Sequence, residues 1–160
     1  MSTFHQVLEW KATGVEETIG YKFADRAVLK EALLAPGSVP LAITTERTGN
    51  KDLAQIGDAV LRLILILDGY IAKADRAKIN DVVSPMVSNP NLAAKGFKVG
   101  LEQHILANPS QQGLVSHGVM ANAVEAILGA VYLDSNLNTQ AVRSAMACLG
   151  LAWPVGKTTD

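Results

Sequence analysis

The sequence predicts an all-α fold, and three observations predict it. Apolar residues recur at intervals of three and four along most of the chain, the spacing that places them on one face of an α-helix. No segment alternates apolar and polar residues as a half-buried strand does, because the β-branched residues fall at helical spacing. Hydrophobic residues make up 49% of the 160 residues and charged residues 18%, a balance that supports one packed domain and excludes intrinsic disorder.

The N-terminal part is predicted to contain three short helices. The first ends at Gly14, the second covers residues 15–19, and the third begins after Asp25, which is its expected N-cap. The stretch 36–50 lacks steady periodicity and is predicted to be a loop. We therefore divide the chain into an N-terminal helix at 1–14, a main domain at 15–149 and a flexible tail at 150–160.

The longest helix is predicted from Lys51 to about Gly69, and it is apolar on all sides after Asp58. Such a helix is buried on several sides, either within its own domain or against a partner chain. Further helices are predicted at 79–87, at 89–97 with Asn89 as the cap, at 117–133 after the cap Ser116, and at 138–149.

Charge and cysteine content limit the classes of function. Fourteen Lys and Arg against 15 Asp and Glu give a formal charge of −1, which argues against binding nucleic acid through bulk positive charge. The single cysteine, Cys148, cannot form an internal disulfide, so we expect a small buried hydrophobe and an intracellular, reducing compartment. His104 has no partner at metal-ligand spacing and is predicted to lie on the surface. The most apolar stretch contains Arg62 and is too short to span a membrane.

Two carboxylates, Asp58 and Glu125, fall inside the two most apolar helices. A buried carboxylate is costly unless it is paired, protonated or bound to a metal. If the two helices face each other, Asp58, Asn122 and Glu125 form a cluster of oxygen ligands that suits Mg²⁺, with Mn²⁺ as an alternative. The other interpretation is an ion pair of Asp58 with Arg62 and a partly exposed Glu125, and the spacing alone favours neither.

Several segments of the chain resemble the ribonuclease III family, in the family's order. Residues 50–61 read NKDLAQIGDAVL and are similar to its signature helix NERLEFLGDAVL. Residues 121–134 read ANAVEAILGAVYLD and are similar to ADxFEALLGAIYLD. Residues 19–23, 87–93 and 99–101 are similar to three further family segments, so the resemblance covers about residues 15–149.

The resemblance implies a ribonuclease III endonuclease-domain-like helical fold that dimerises through the signature helix and cuts double-stranded RNA with Mg²⁺. The family's metal-site carboxylates correspond to Ala54, Asp58, Asn122 and Glu125, so one ligand is missing and another is an amide. Asp58 and Glu125 are the expected catalytic residues and metal ligands, and Asn122 is a weaker ligand. Gln55 replaces an aromatic residue that contacts the dimer partner. The expected dimer interface consists of Leu53, Gln55, Ile56, Val60 and Leu61.

Basic residues cluster in sequence around the middle helices and are the candidates for contact with RNA phosphates. For each of them a solvated helix face is the alternative interpretation. These candidate RNA-binding residues are Lys73, Arg76, Lys78, Lys95 and Lys98.

Three functions are compatible with the sequence. The first is a homodimeric, Mg²⁺-dependent endoribonuclease that acts on double-stranded RNA in RNA processing; the compact Mini-III branch of the family looks similar around residues 53–58. The second is a catalytically inactive RNA-binding or dimerisation module, such as a mitochondrial ribosomal component. Residues 99–142 contain no Lys or Arg, which argues against this second function. The third is a domain that binds only other proteins.

Overall fold

The fold was analysed in a computed structural model, which describes residues 3–39 and 49–156. The predicted all-α class is confirmed: the described residues contain helices and one isolated bridge between Leu34 and Leu106, but no β-strand. None of the described helices is long and apolar enough to cross a membrane. The predicted loop at 36–50 lies outside the described residues from 40 to 48. The α-helices are α1 (Thr3–Ile19), α2 (Arg26–Ala32), α3 (Lys51–Ile71), α4 (Arg76–Met86), α5 (Asn89–Lys98), α6 (His117–Asp134) and α7 (Thr139–Cys148), with 3₁₀ turns at Leu101–His104 and Pro109–Gln111.

The predicted end of the first helix at Gly14 is wrong, because α1 continues to Ile19 and includes the residues expected to form a second helix. A side chain at position 14 would collide with the imidazole of His104, so the glycine permits close packing rather than a helix break. His104 is buried, not on the surface as predicted, and its ring lies 5.3 Å from that of Trp10. Burial lowers the pKa of His104. The expected boundary at residue 14 therefore falls inside one continuous helix.

Side-chain caps precede the later helices except α3, whose N-cap residue Asn50 makes no such hydrogen bond. Asp25 and Ser116 accept hydrogen bonds from backbone N–H groups at the starts of α2 and α6, which confirms both predicted caps. The cap of α5 is Ser88 rather than Asn89, since the Ser88 hydroxyl accepts a 3.4 Å hydrogen bond from the backbone N–H of Asn91. Asn89 is instead the first residue of that helix.

Helix α6 is the centre of the fold, and the other long helix, α3, packs along it. Eleven of the 18 residues of α6 are buried, which explains why its sequence is apolar on nearly every side. Helices α2, α5 and α7 cover the rest of α6. The buried face of α3 consists of Leu53, Ala54, Gly57, Val60, Leu61, Ile64, Leu65 and Gly69.

The end of α6 is fixed to the segment before α2 by one carboxylate. Asp134 accepts hydrogen bonds from the Tyr21 hydroxyl at 2.8 Å and from the backbone N–H groups of Ala24 and Asp25 at 2.9 Å. Burial acts to raise the pKa of Asp134, but the hydrogen bonds outweigh it and the pKa is lowered. Burial and the neighbouring carboxylate raise the pKa of Tyr21 to about 12.

The predicted flexible tail begins as a packed segment. Leu151 is fully buried, and its N–H donates a 2.8 Å hydrogen bond to the carbonyl of Met146. The indole of Trp153 packs against Gly69 of α3. The prediction is therefore wrong for residues 150–153, while residues 157–160 lie outside the described part. Cys148, predicted to be buried, is exposed at the end of α7.

Candidate functional site

Helices α3 and α6 touch through their main chains at two glycines. A Cβ atom at Gly57 would overlap the carbonyl oxygen of Glu125, and a Cβ at Gly129 would overlap that of Leu53. Any larger residue at either position would force the helices apart. The crossing places Asp58, the residue after Gly57, beside the turn of α6 that carries Glu125.

Asp58 forms an ion pair with Arg62, one helical turn further along α3. The Arg62 Nε atom lies 3.1 Å from Oδ1 and 3.2 Å from Oδ2 of Asp58. Both side chains reach solvent, since 37% of the Asp58 side chain and 49% of the Arg62 side chain are exposed. The sequence left open either a cluster of Asp58, Asn122 and Glu125 or this ion pair with a partly exposed Glu125. The structure shows the ion pair, while Glu125 is buried and the charge of Asp58 acts on it.

Glu125 is the buried acid of the site, with 9% of its surface exposed. Within the described residues its carboxylate has no hydrogen-bond donor and no ion-pair partner. Burial, and secondly the negative charge of Asp58, raise the pKa of Glu125 to about 7, while Arg62 opposes the rise. The carboxylate oxygens are not among the fully enclosed polar atoms without a partner, so they keep access to solvent. A carboxyl group with a perturbed pKa beside a second acid is a candidate for a functional site.

Ala54 and Asn122, where the resemblance implies carboxylates, each precede one of these acids in its helix. Ala54 lies one turn before Asp58 and is buried. Because its side chain is a methyl group, it contributes no polar atom to the site. Asn122 is half-buried and precedes Glu125 by three residues, on the same side of α6. The described residues contain no group of three His, Cys, Asp or Glu side chains placed to hold a metal ion.

This set of donors still fits a magnesium ion. Mg²⁺ keeps several water ligands and is commonly held by one or two carboxylates. Asp58 and Glu125 supply two carboxylates from facing helices, and the Asn122 amide carbonyl is a third oxygen donor on α6. The unpartnered carboxylate of Glu125 is the structural observation that supports this fit.

The candidate RNA-binding residues divide into two groups. Lys73, Arg76 and Lys78 are exposed before and within the first turn of α4, and Lys98 is exposed at the end of α5. Lys95 is half-buried and lines a cleft with Asp81 and Pro154, among others. Their contact with RNA stays a prediction.

Three residues of the predicted dimer interface, Leu53, Val60 and Leu61, are buried in the core of the chain itself, and Val60 also lines a surface cleft. Leu53 and Leu61 point toward α6 because their positions coincide with the buried face of α3, and assigning them to a partner surface was wrong. Gln55 is exposed and Ile56 is half-buried.

The exposed face of α3 carries an apolar stripe that sequence analysis did not separate from the buried face. Its residues recur at i, i+3, i+4 and i+7, so they line up along one side of the helix. An open cleft of about 240 Å³ lies at the start of the stripe, lined by Ile56, Ala59, Val60, Leu63 and Tyr132. The exposed apolar stripe consists of Leu63, Ile66, Leu67 and Tyr70.

The glycines at the helix crossing were also not recognised as site residues from the sequence. The available signal is their position: Gly57 immediately precedes one candidate acid, and Gly129 follows the other by four residues, both inside long apolar helices. Glycine costs about 1 kcal/mol relative to alanine in a helix interior. A glycine inside a long helix therefore indicates a packing reason, such as the close approach of another main chain.

The fold and site together define a helical domain with a pair of acids at the crossing of its two central helices. Residues 43–146 match the family model described as ribonuclease-III-like. The chain belongs to this family. The nuclease domain of ribonuclease III from Campylobacter jejuni has the same fold, with a TM-score of 0.73 and 23% sequence identity over 89% of this chain and 98% of that domain.

Curated relatives agree with the family match. Ribonuclease 3 from Aliivibrio fischeri is 31% identical over 130 residues, covering 78% of this chain and 55% of that protein. Ribonuclease 3 from Fusobacterium nucleatum is 33% identical over 131 residues, with the same two coverages of 78% and 55%. The chain thus spans about half the length of the curated relatives it matches.

Proposed function

We propose that this protein is an endoribonuclease of ribonuclease III type, which hydrolyses phosphodiester bonds of double-stranded RNA with Mg²⁺ or Mn²⁺. The observation that carries the proposal is the carboxylate of Glu125, which has no described hydrogen-bond donor and whose pKa is raised by burial and by the charge of Asp58 across the α3–α6 crossing. Membership of the ribonuclease-III-like family supports the reaction class.

Asp58 and Glu125 would hold the cation, and Asn122 would add an oxygen ligand or orient one of the carboxylates. When bound, Mg²⁺ supplies Lewis acidity that stabilises negative charge on the phosphate undergoing hydrolysis. Because the pKa of Glu125 is raised to about 7, this group is partly protonated at neutral pH, and cation binding is expected to release its proton.

The exposed apolar stripe supports a homodimer. Leu63, Ile66, Leu67 and Tyr70 expose large apolar side chains along one helix, and a second copy of α3 would cover them. The Campylobacter nuclease domain has a region involved in dimer formation, which is consistent with this arrangement.

A second candidate function is a catalytically inactive module that binds RNA or forms dimers. Two observations favour it: Ala54 offers no ligand, and Arg62 already pairs with Asp58. The two functions differ in whether the protein cleaves RNA in a reaction that depends on Asp58 and Glu125.

The deciding experiment compares the natural protein with the Asp58→Asn/Glu125→Gln double variant on labelled long double-stranded RNA. We expect cleavage by the natural protein with Mg²⁺ or Mn²⁺, and loss of cleavage in the double variant and in each single variant. Circular dichroism and sedimentation check that the variants remain folded and keep the same mass. Cleavage that persists in the folded variants would contradict the roles of Asp58 and Glu125. No cleavage by the natural protein would contradict the nuclease proposal and favour the inactive module.

A further inference from the structure

Arg62 places a permanent positive charge at the candidate metal site. Its Nε atom lies within 3.2 Å of both carboxylate oxygens of Asp58, and the same charge acts on Glu125. A guanidinium is a delocalised, permanently charged group in proteins. Within the described residues, Asp58 is the only ion-pair partner of Arg62.

Residues 54, 58 and 62 lie at successive turns on one side of α3. Ala54 leaves that side without an acid one turn before Asp58, and Arg62 adds a cation one turn after it. The site therefore contains the carboxylates of Asp58 and Glu125 together with the guanidinium of Arg62, which already forms an ion pair with Asp58.

We infer that Arg62 competes with the divalent cation for Asp58 and thereby sets the cation affinity of this site. The inference rests on the proposed function only in taking Asp58 as a cation ligand. With Arg62 in place, a cation must displace the guanidinium from Asp58 or share a carboxylate with it. Either event opposes binding, since like charges repel at short range.

The test measures Mn²⁺ binding directly, by the paramagnetic resonance signal of free Mn²⁺ at low ionic strength, without RNA. We expect Arg62→Gln to bind Mn²⁺ about two- to fivefold more tightly than the natural protein, the factor that corresponds to one exposed ion pair. Arg62→Lys keeps the charge and should stay close to the natural protein. Adding Asp58→Asn to Arg62→Gln should abolish the gain.

Arg143→Gln is the matched control, because Arg143 forms an ion pair with Asp68, also on α3 but away from the two acids. This control removes the same charge from the chain and should leave Mn²⁺ binding unchanged. Equal Mn²⁺ binding by the natural protein and Arg62→Gln, including none by either, would overturn the inference, and so would an equal gain in Arg143→Gln. Tighter binding in Arg62→Gln with no cleavage by the natural protein would retain the inference and reject the nuclease activity.

Discussion

Glu125 combines a proposed role in cation binding with a cost in stability. Its neighbours along α6 are aliphatic and buried, and no described group donates a hydrogen bond to its carboxylate. In the unfolded chain the same carboxylate would be solvated by water. The folded protein therefore binds the Glu125 proton more tightly than the unfolded chain does, which is the meaning of a pKa raised from 4.5 to about 7.

We predict that Glu125→Gln changes the pH dependence of stability. The stabilising contribution of a raised pKa is fully present below about pH 4.5 and is lost as the pH rises through about 7. Without added metal, the natural protein should lose about 1–3 kcal/mol of unfolding free energy from this group between pH 5 and pH 8. The Glu125→Gln variant should lack this part of the decrease, as measured by urea denaturation at both pH values.

A control for this prediction is the addition of Mg²⁺ to the natural protein at pH 8. Because a cation favours the charged carboxylate, it should restore stability to the natural protein and not to Glu125→Gln. Identical pH profiles for the two proteins would show that Glu125 is solvated and not buried as described.

At the scale of elements, the α3–α6 pair determines where the acids lie. The sequence alone predicted both helices to within a few residues, because their apolar repeats are long and a clear cap precedes α6. It could not show which face of α3 is turned inward, since apolar residues cover the helix on all sides after Asp58. That ambiguity is why Leu61 was assigned to a partner surface. Leu53 lies before Asp58, and it was assigned there because the resemblance implies that this helix forms the dimer.

Gly14 illustrates a second limit of sequence-based prediction. A glycine near the end of a helical pattern usually indicates a helix end, but at this position it accommodates the ring of His104, which lies far along the chain. Long-range packing of this kind leaves no local signal. The resemblance to ribonuclease III, by contrast, depends on residue order, and it identified the family to which the chain belongs.

We predict that Gly57→Ala destabilises the protein strongly. The added methyl group would overlap the main-chain carbonyl of Glu125, and a carbonyl inside a helix cannot move aside as a side chain can. The loss of unfolding free energy should be at least about 3 kcal/mol, at the upper end for overpacked cores. Urea denaturation measures it.

The matched control is Gly118→Ala, in the same helix as Glu125. Nothing lies within 4 Å of a Cβ atom at position 118. Alanine is the better helix former, so this variant should be unchanged or up to about 1 kcal/mol more stable. A similar stability for both variants would contradict the close main-chain contact at the crossing.

At the scale of the whole molecule, the chain exposes more apolar surface on α3 than on its other helices within the described residues. The core around α6 is complete without that surface, because the buried face of α3 is already packed. The exposed stripe is therefore free to bind a second molecule, and its position on the helix that carries Asp58 would bring two acid pairs into one assembly.

We predict that Leu63→Glu converts a dimer into a monomer. Leu63 lies in the apolar cleft and is 51% exposed, so a charge there would be buried without a partner in the dimer while leaving the folded monomer intact. Sedimentation velocity should give half the mass of the natural protein. Leu114→Glu is the control, because Leu114 is exposed outside the stripe and should leave the mass unchanged.

The contact of Gly57 with the main chain of Glu125 has a consequence for how this site can change. At the crossing, the separation of the two helices that carry the acids is set by contact between backbone atoms, and not by the side chains that would ligate a cation. Substitutions at positions 54, 62 and 122 can therefore alter the charge of the site while its framework keeps its dimensions. In such a framework, a few side-chain substitutions can remove or restore an activity while the backbone of the two helices stays the same.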